Sequence, residues 1–305
     1  MAVAARLSNH QQLSPPLASP SPLAAYTHLK RDESIFVIGW ERSGADEFTL
    51  DIRWPATRGD LAYDPRVLAQ TIRQSGLVIA HAEYHVPLDH QTVLKTLDFT
   101  LSPGFRVPGG QTSDLRVELE VSKPRRGGRA PNALRMRLHI LHGDVTVTRV
   151  DSEFGWISPT AYPRVRGEYT SVDWAGWPVP ASVAPEFVGR PDTVDVVLSP
   201  SEEPDRWLLR NDVANTLLFD HPVDHVPGLV LLEAAQQAAQ AFVAPVPFAL
   251  DSVSTRYAHY VEFDQPCWIE AEALATPAPD RLSLRVRGVQ NGRTMFTVDL
   301  GGTTN

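Results

Sequence analysis

The stretch best equipped for chemistry runs Asp220-His221-Pro222-Val223-Asp224-His225-Val226-Pro227-Gly228-Leu229. Its last four residues open a helical pattern. The first amides of a helix have no intrahelical partner and sit at the positive end of the helix dipole. The backbone N–H groups of Gly228 and Leu229 are therefore candidates for an oxyanion site, and glycine lets a backbone be approached closely. His225 precedes that turn and Glu233 follows one turn into the helix, a candidate catalytic acid/base pair. Donors that polarise a carbonyl, beside groups that move a proton, are the equipment of acyl transfer. The competing readings are a loop-capping role for His225 and an exposed helical position for Glu233. The apolar neighbours Leu231, Leu232, Ala234 and Ala235 argue against the second. Asp220, His221, Asp224 and His225 also include metal-ligand types, but they read better as turn residues of a catalytic loop, and no metal is expected. Cys267, between Pro266 and Trp268 on a strand pattern, reads as a buried structural thiol.

These groups need elements to position them. Two segments carry helical periodicity, about Pro65 to Ala82 and about Gly228 to Val243. Asp64-Pro65 makes an N-cap and first-turn pair for the first. The second is crowded with small residues, which suits burial against a wrapped sheet. Elsewhere alternation with period two predominates, as in Leu115–Val121, Leu134–Ile140 and Leu282–Val286, and predicts antiparallel strands with one buried face. His142-Gly143-Asp144 and Asn291-Gly292 are hairpin signals. The element order repeats. Strands at Ile35–Trp40 and Phe48–Trp54, a helix, then about four strands are followed by Val194–Leu198, Trp207–Arg210, a helix, and Tyr257–Phe263, Cys267–Leu274, Leu282–Val289 and Met295–Leu300. The expectation is an α+β fold with an internal duplication. We divide it into a disordered leader (1–25), an N-terminal domain (26–166), a linker (167–191) and a C-terminal domain (192–305).

Bulk properties narrow the class. The 305 residues are enough for two domains, and 43% hydrophobic with 21% charged residues is ordinary for a globular chain. A net charge of −8 makes nucleic acid an unfavourable partner. One cysteine excludes an intramolecular disulfide, and no apolar run is long enough to span a bilayer, so a cytoplasmic location without membrane partners is expected. The basic loop Lys123-Pro124-Arg125-Arg126-Gly127-Gly128-Arg129 has two readings: a greeting surface for an acidic carrier protein, or a solvated hairpin loop.

Several separated blocks resemble the A-factor synthase family: Leu217–Ala239 (LLFDHPVDHVPGLVLLEAAQQAA), THLKR at His28, Tyr63–Gln74, His81–His90, and Ser254–Ala271. The resemblance implies a double hotdog, in which each of two tandem domains wraps a long helix in a curved antiparallel sheet and the domains pair as an intramolecular pseudo-dimer. It implies an acyltransferase moving a β-ketoacyl group from an acyl carrier protein thioester to dihydroxyacetone phosphate. No cofactor is implied beyond the phosphopantetheine of the carrier. It also implies substrate or phosphate contacts at Arg73, Gln70, Gln74 and Gln236. Family members usually carry glutamate where this chain has Gln70, arginine where it has Gln236, and often histidine where it has Tyr63. A neutral amide is no acid or base and holds phosphate weakly. A thioesterase or dehydratase, or a non-catalytic binding protein, are therefore the alternatives.

Overall fold

The structure, a computed structural model, describes residues 22–122, 132–275 and 281–304. The helix α2 (Pro65–Ala82) starts where the sequence places it: the Asp64 side chain accepts the Arg66 N–H at 3.0 Å and Pro65 fills the first turn. Val67, Leu68, Ile72, Leu77 and Ile79 are all buried. The helix α4 (Gly228–Val243) is buried nearly all round, and Ala234, Ala235, Ala238 and Ala239 have no exposed surface. Small residues let the sheet come close to its helix. On α2 the same role falls to Gly76, where a Cβ would lie 2.8 Å from the Phe154 ring.

Among the described residues twelve strands wrap α2 and α4: β1 (Val37–Arg42), β2 (Glu47–Trp54), β3 (Gln91–Leu101), β4 (Ser113–Ser122), β5 (Ala133–His142), β6 (Val145–Ile157), β7 (Leu198–Ser199), β8 (Arg206–Leu209), β9 (Phe248–Tyr257), β10 (Cys267–Leu274), β11 (Leu282–Gln290) and β12 (Arg293–Thr304). They form one antiparallel sheet in the order β1-β2-β4-β5-β6-β3-β9-β12-β11-β10-β8-β7. The order is a palindrome: each half runs from two short outer strands through a hairpin meander to the strand that follows its helix. The halves join edge to edge at β3 and β9, where Phe99 faces Val253 and Thr100 faces Ser252. Two side chains extend the seam, with Thr255 Oγ1 accepting from Leu97 N and Asp98 accepting from Thr255 N, both at 2.7 Å. The double hotdog and its pseudo-dimer are thus present as one continuous sheet. Asn291 and Gly292 both have positive φ, as a type I′ hairpin turn demands.

Three expectations differ from the structure. Residues 258–263 do not extend a strand: β9 runs Phe248–Tyr257, and after it Ala258 and His259 donate to Met295 O before the chain turns away. Tyr257, Ala258, His259, Tyr260 and Val261 all line a cavity instead. Residues 193–195 form a 3₁₀ turn, leaving only Leu198–Ser199 as strand. The leader, set at residues 1–25, overlaps a short helix α1 (Pro22–Thr27) that packs on α2. Residues 1–21 and the basic loop at 123–129 lie outside the described residues.

The segment 167–191 packs against the C-terminal half. Val188 is buried, Val183 N donates to Leu198 O, and Arg190 reaches α4. The short helix α3 (Tyr162–Arg166) precedes it and anchors the loop before α4.

Candidate active site

A cavity of about 650 Å³ lies between the N-terminus of α4 and the middle of α2, a size that suits a small-molecule substrate. Leu94, Phe154, Val226 and Leu231 give it apolar walls, and Gln70, Arg73, His28, His221 and His225 supply polar groups. Its wall includes Leu88 and Val165, which are 47% and 55% exposed and mark an open, apolar mouth.

At one end α4 begins without a side-chain cap. Its first intrahelical bonds come from Val230 and Leu231 to Pro227 O, so the amides of Gly228 and Leu229 precede them, and both residues line the cavity. The carbonyl of Gly228 accepts from Tyr257 Oη at 3.0 Å. A Cβ on Gly228 would meet Leu94 and Tyr257 at 3.5 and 3.6 Å, ordinary contact, so nothing in the protein itself demands glycine there.

Beside this turn His225 Nδ1 donates to Asp224 at 2.6 Å, which leaves Nε2 as the free nitrogen. Asp224 also accepts from Tyr162 Oη at 2.7 and 2.9 Å and from Arg166 Nε at 3.4 Å. Arg166 is buried and forks onto Glu262 with two bonds of 2.7 Å. Burial pushes the Asp224 carboxyl up, but the hydrogen bonds from His225 and Tyr162 outweigh it and hold the group below its ordinary range. The Asp-His step occurs twice in this loop: His221 Nδ1 donates to Asp220 at 2.9 Å. Asp220 has a second task, accepting the backbone N–H groups of Lys30 and Arg31 at 2.7 and 3.1 Å and so binding the N-terminal half to the loop before α4.

At the other end stands Arg73. Its guanidinium donates to Thr27 O at 3.1 Å, and burial pulls it down to about 10 against the opposing charge of Asp220. Gln70 Nε2 donates to Leu217 O at 3.1 Å, while its Oε1 is buried with no partner. The structure thus brings His225, Gly228, Leu229, Arg73 and Gln70 to one cavity.

Glu233, Gln74 and Gln236 are not on its wall. Glu233 is 2% exposed and held by Arg190, with Nε to Oε1 at 2.5 Å and Nη2 to Oε2 at 2.9 Å; Gln237 Nε2 adds a bond of 2.6 Å. The expected acid/base pair with His225 therefore does not form. Gln74 is sealed: its Oε1 accepts from Phe36 N at 2.7 Å and its Nε2 donates to Ser34 O at 2.7 Å, pinning the entry to β1. It is a backbone clamp and not a substrate contact. Gln237 makes the same clamp in the other half, on Val197 N and Asp195 O. With these two glutamines equivalent, Gln70 matches Glu233 and Arg73 matches Gln236 in spacing. The cavity between the start of α4 and the middle of α2 therefore has as its counterpart, between the start of α2 and the middle of α4, a group of buried ion pairs made by Arg66, Asp64, Asp195, Arg190 and Glu233. Gln236 is buried in that second half.

Two histidines escaped assignment from sequence. His28 lines the cavity, and its Nε2 lies 2.8 Å from His81 Nε2; His81 Nδ1 lies 2.7 Å from Val86 O. His28 has a φ of 56°, a left-handed conformation uncommon outside glycine. Burial, then His81 and Arg73, push the His28 imidazole down to about 4. Both residues fall in blocks that carry the family resemblance, which is the one sequence signal that points to them. Cys267 is buried on β10, where burial pushes its thiol up to about 12.

The fold and the cavity together define a tandem hotdog protein with a site at the seam of its two halves. The A-factor biosynthesis hotdog domain matches residues 22–157 and again 175–304. The chain is 36% identical over 272 residues to a 2-oxo-3-(phosphooxy)propyl 3-oxoalkanoate synthase of Streptomyces virginiae, covering 88% of this chain and 92% of that one. It is 35% identical to the enzyme of the same name from Streptomyces coelicolor, covering 93% and 92%. The chain belongs to the A-factor biosynthesis hotdog family. Among solved structures, a putative oleoyl thioesterase from Lactobacillus plantarum superposes with a TM-score of 0.55 at 14% identity, covering 85% of this chain and 98% of that one. A putative thioesterase from Novosphingobium aromaticivorans gives a TM-score of 0.51 at 12% identity, covering 88% and 99%. These two share the fold.

Proposed function

We propose that the cavity transfers a β-ketoacyl group from an acyl carrier protein thioester to the hydroxyl of dihydroxyacetone phosphate or a similar acceptor, in the biosynthesis of a γ-butyrolactone, butenolide or furan-type signal. The name of the relatives describes such an ester, a 3-oxoalkanoate joined to a 2-oxo-3-(phosphooxy)propyl group. The observation that carries the reading is the convergence, on one cavity, of the leading amides of α4, an aspartate-fixed histidine and a buried arginine.

The roles follow from the geometry. The amides of Gly228 and Leu229 polarise the thioester carbonyl and stabilise the oxyanion of the tetrahedral intermediate. His225, held by Asp224, manages the proton at the thioester end, and the Asp224 carboxylate stabilises its imidazolium form. Arg73 faces the phosphate of the acceptor, a planar charged fork in a poorly hydrated setting. Gln70 lines the cavity and is held by Leu217 O. The apolar walls take the acyl chain, and the open mouth at Leu88 and Val165 admits a phosphopantetheine arm. No helix among the described residues is long and apolar enough to cross a membrane, and a cytoplasmic reaction fits a single buried thiol.

The test mixes purified protein with a β-ketoacyl carrier thioester, with and without dihydroxyacetone phosphate, and follows products by mass spectrometry. A phosphorylated ester that forms only with the acceptor supports the reading. Hydrolysis indifferent to the acceptor points to a thioesterase. No turnover across chain lengths and carriers rejects catalysis at this site. Arg73→Ala should raise the acceptor KM about tenfold or more while leaving the donor KM unchanged, because a charge-assisted contact contributes about 1.5–3 kcal/mol.

A further inference from the structure

We infer that His28 takes the proton of the acceptor hydroxyl during acyl transfer, and that His81 is the positioning residue that keeps His28 Nδ1 free for it. The inference rests on the transferase reading of the same cavity.

The argument starts from a carbonyl. Val86 O can only accept, so His81 Nδ1 at 2.7 Å carries a hydrogen and donates it. A neutral imidazole has one N–H, which leaves His81 Nε2 as an acceptor. His28 Nε2, 2.8 Å away, must then be the donor of the His–His bond. The second nitrogen of His28, Nδ1, is left with a lone pair. It makes no hydrogen bond to a described residue, and His28 lines the cavity. One carbonyl therefore fixes two tautomers in series.

Burial first of all keeps His28 neutral, and His81, Arg73, His221 and Lys30 add to it. The empty ring is unprotonated at neutral pH and a weaker base than a free imidazole. An anionic acceptor seated on Arg73 offsets one of the charges that oppose the proton, so the bound substrate makes the ring more basic.

The step balances. The acceptor O–H breaks and its proton goes to His28 Nδ1 as the oxygen adds to the thioester carbonyl. The intermediate collapses, the C–S bond breaks, and the thiolate takes the Nε2 proton of His225, which enters the step as the imidazolium that Asp224 stabilises. Exchange with water through the mouth then removes the proton from His28 and returns one to His225.

The experiment uses the full-length chain. Imidazole 15N NMR should show His81 protonated at Nδ1 and bare at Nε2; protonation of His81 at Nε2 instead would overturn the inference. His28→Asn keeps the left-handed backbone and an acceptor oxygen but takes no proton. It should lower kcat for ester formation by about 100-fold or more, with the donor KM unchanged. His81→Gln, whose carboxamide oxygen still accepts from His28, should stay within about tenfold of the wild type. His81→Leu should lose kcat, because His28 Nε2 is left without its acceptor and the tautomer is no longer fixed. A purely structural histidine would leave kcat per folded molecule unchanged in both His81 variants. If the wild type makes no ester, the transferase reading falls and takes this inference with it. If it makes ester and His28→Asn retains full kcat, only this inference falls.

Discussion

Glu233 is the residue whose sequence neighbourhood promised chemistry and whose structure gives it mechanical work, and Glu233→Ala separates the two. The substitution removes two bonds from Arg190 and one from Gln237. It leaves the Arg190 side chain, 7% exposed, with an uncompensated charge. Burial pulls that guanidinium down and Glu233 is what holds it above its ordinary value. Removing one partner of a buried pair costs about 3–5 kcal/mol. At about 2–3 °C per kcal/mol for a chain of this size, Tm should fall by about 6–15 °C. Replacing both partners together, Glu233→Leu with Arg190→Met, should recover most of the loss, since no charge is then stranded. The assay pairs thermal denaturation with ester formation at a temperature where each variant is folded. Turnover per folded molecule should stay within a few-fold of the wild type. An unchanged Tm with abolished turnover would refute the reasoning and return Glu233 to the substrate.

Other outcomes follow from the packing and the buried titratable groups. Gly76→Val should destabilise by about 1–3 kcal/mol, because its Cβ would press on Phe154 at 2.8 Å and Met136 at 3.1 Å; chemical denaturation reads the loss. The imidazoles of His28 and His81 are both depressed in the folded chain, by burial first of all, His28 to about 4. Their stabilisation is complete above about 6.5 and is lost as pH falls towards 4, because the unfolded chain binds more protons in that window. Denaturation midpoints of the wild type should therefore drop between pH 7 and 5, and the drop should shrink in a His28→Asn, His81→Gln double variant. Cys267, buried with its thiol pushed up to about 12, should resist alkylation in the folded protein and react on denaturation.

Much of the scaffold was legible because local rules and burial agreed. Asp64-Pro65 and the apolar stripe set the limits of α2, and the small residues of α4 announced a helix buried on every side. Residues 258–263 failed because a cavity wall and a strand face select the same side chains. Glu233 was rightly read as shielded, but helical periodicity says nothing of what lies opposite. Its partner Arg190 sits in a stretch whose Pro and Gly content reads as a linker. The His28–His81 pair spans 53 positions and depends on a left-handed backbone, so no window of sequence shows it. Gln74 and Gln237 became intelligible only as a repeated clamp.

The palindromic sheet has a consequence for how such a protein can change. In a homodimer every substitution is made twice, so a mutation that closes one active site closes both. Here the two halves are covalently one gene product, and each position mutates alone. The N-terminal helix holds Arg73 at an open cavity, while its counterpart carries the Arg190–Glu233 lock. Two such domains in one chain can therefore divide the work, one copy of the site open to a ligand and the other closed as a brace.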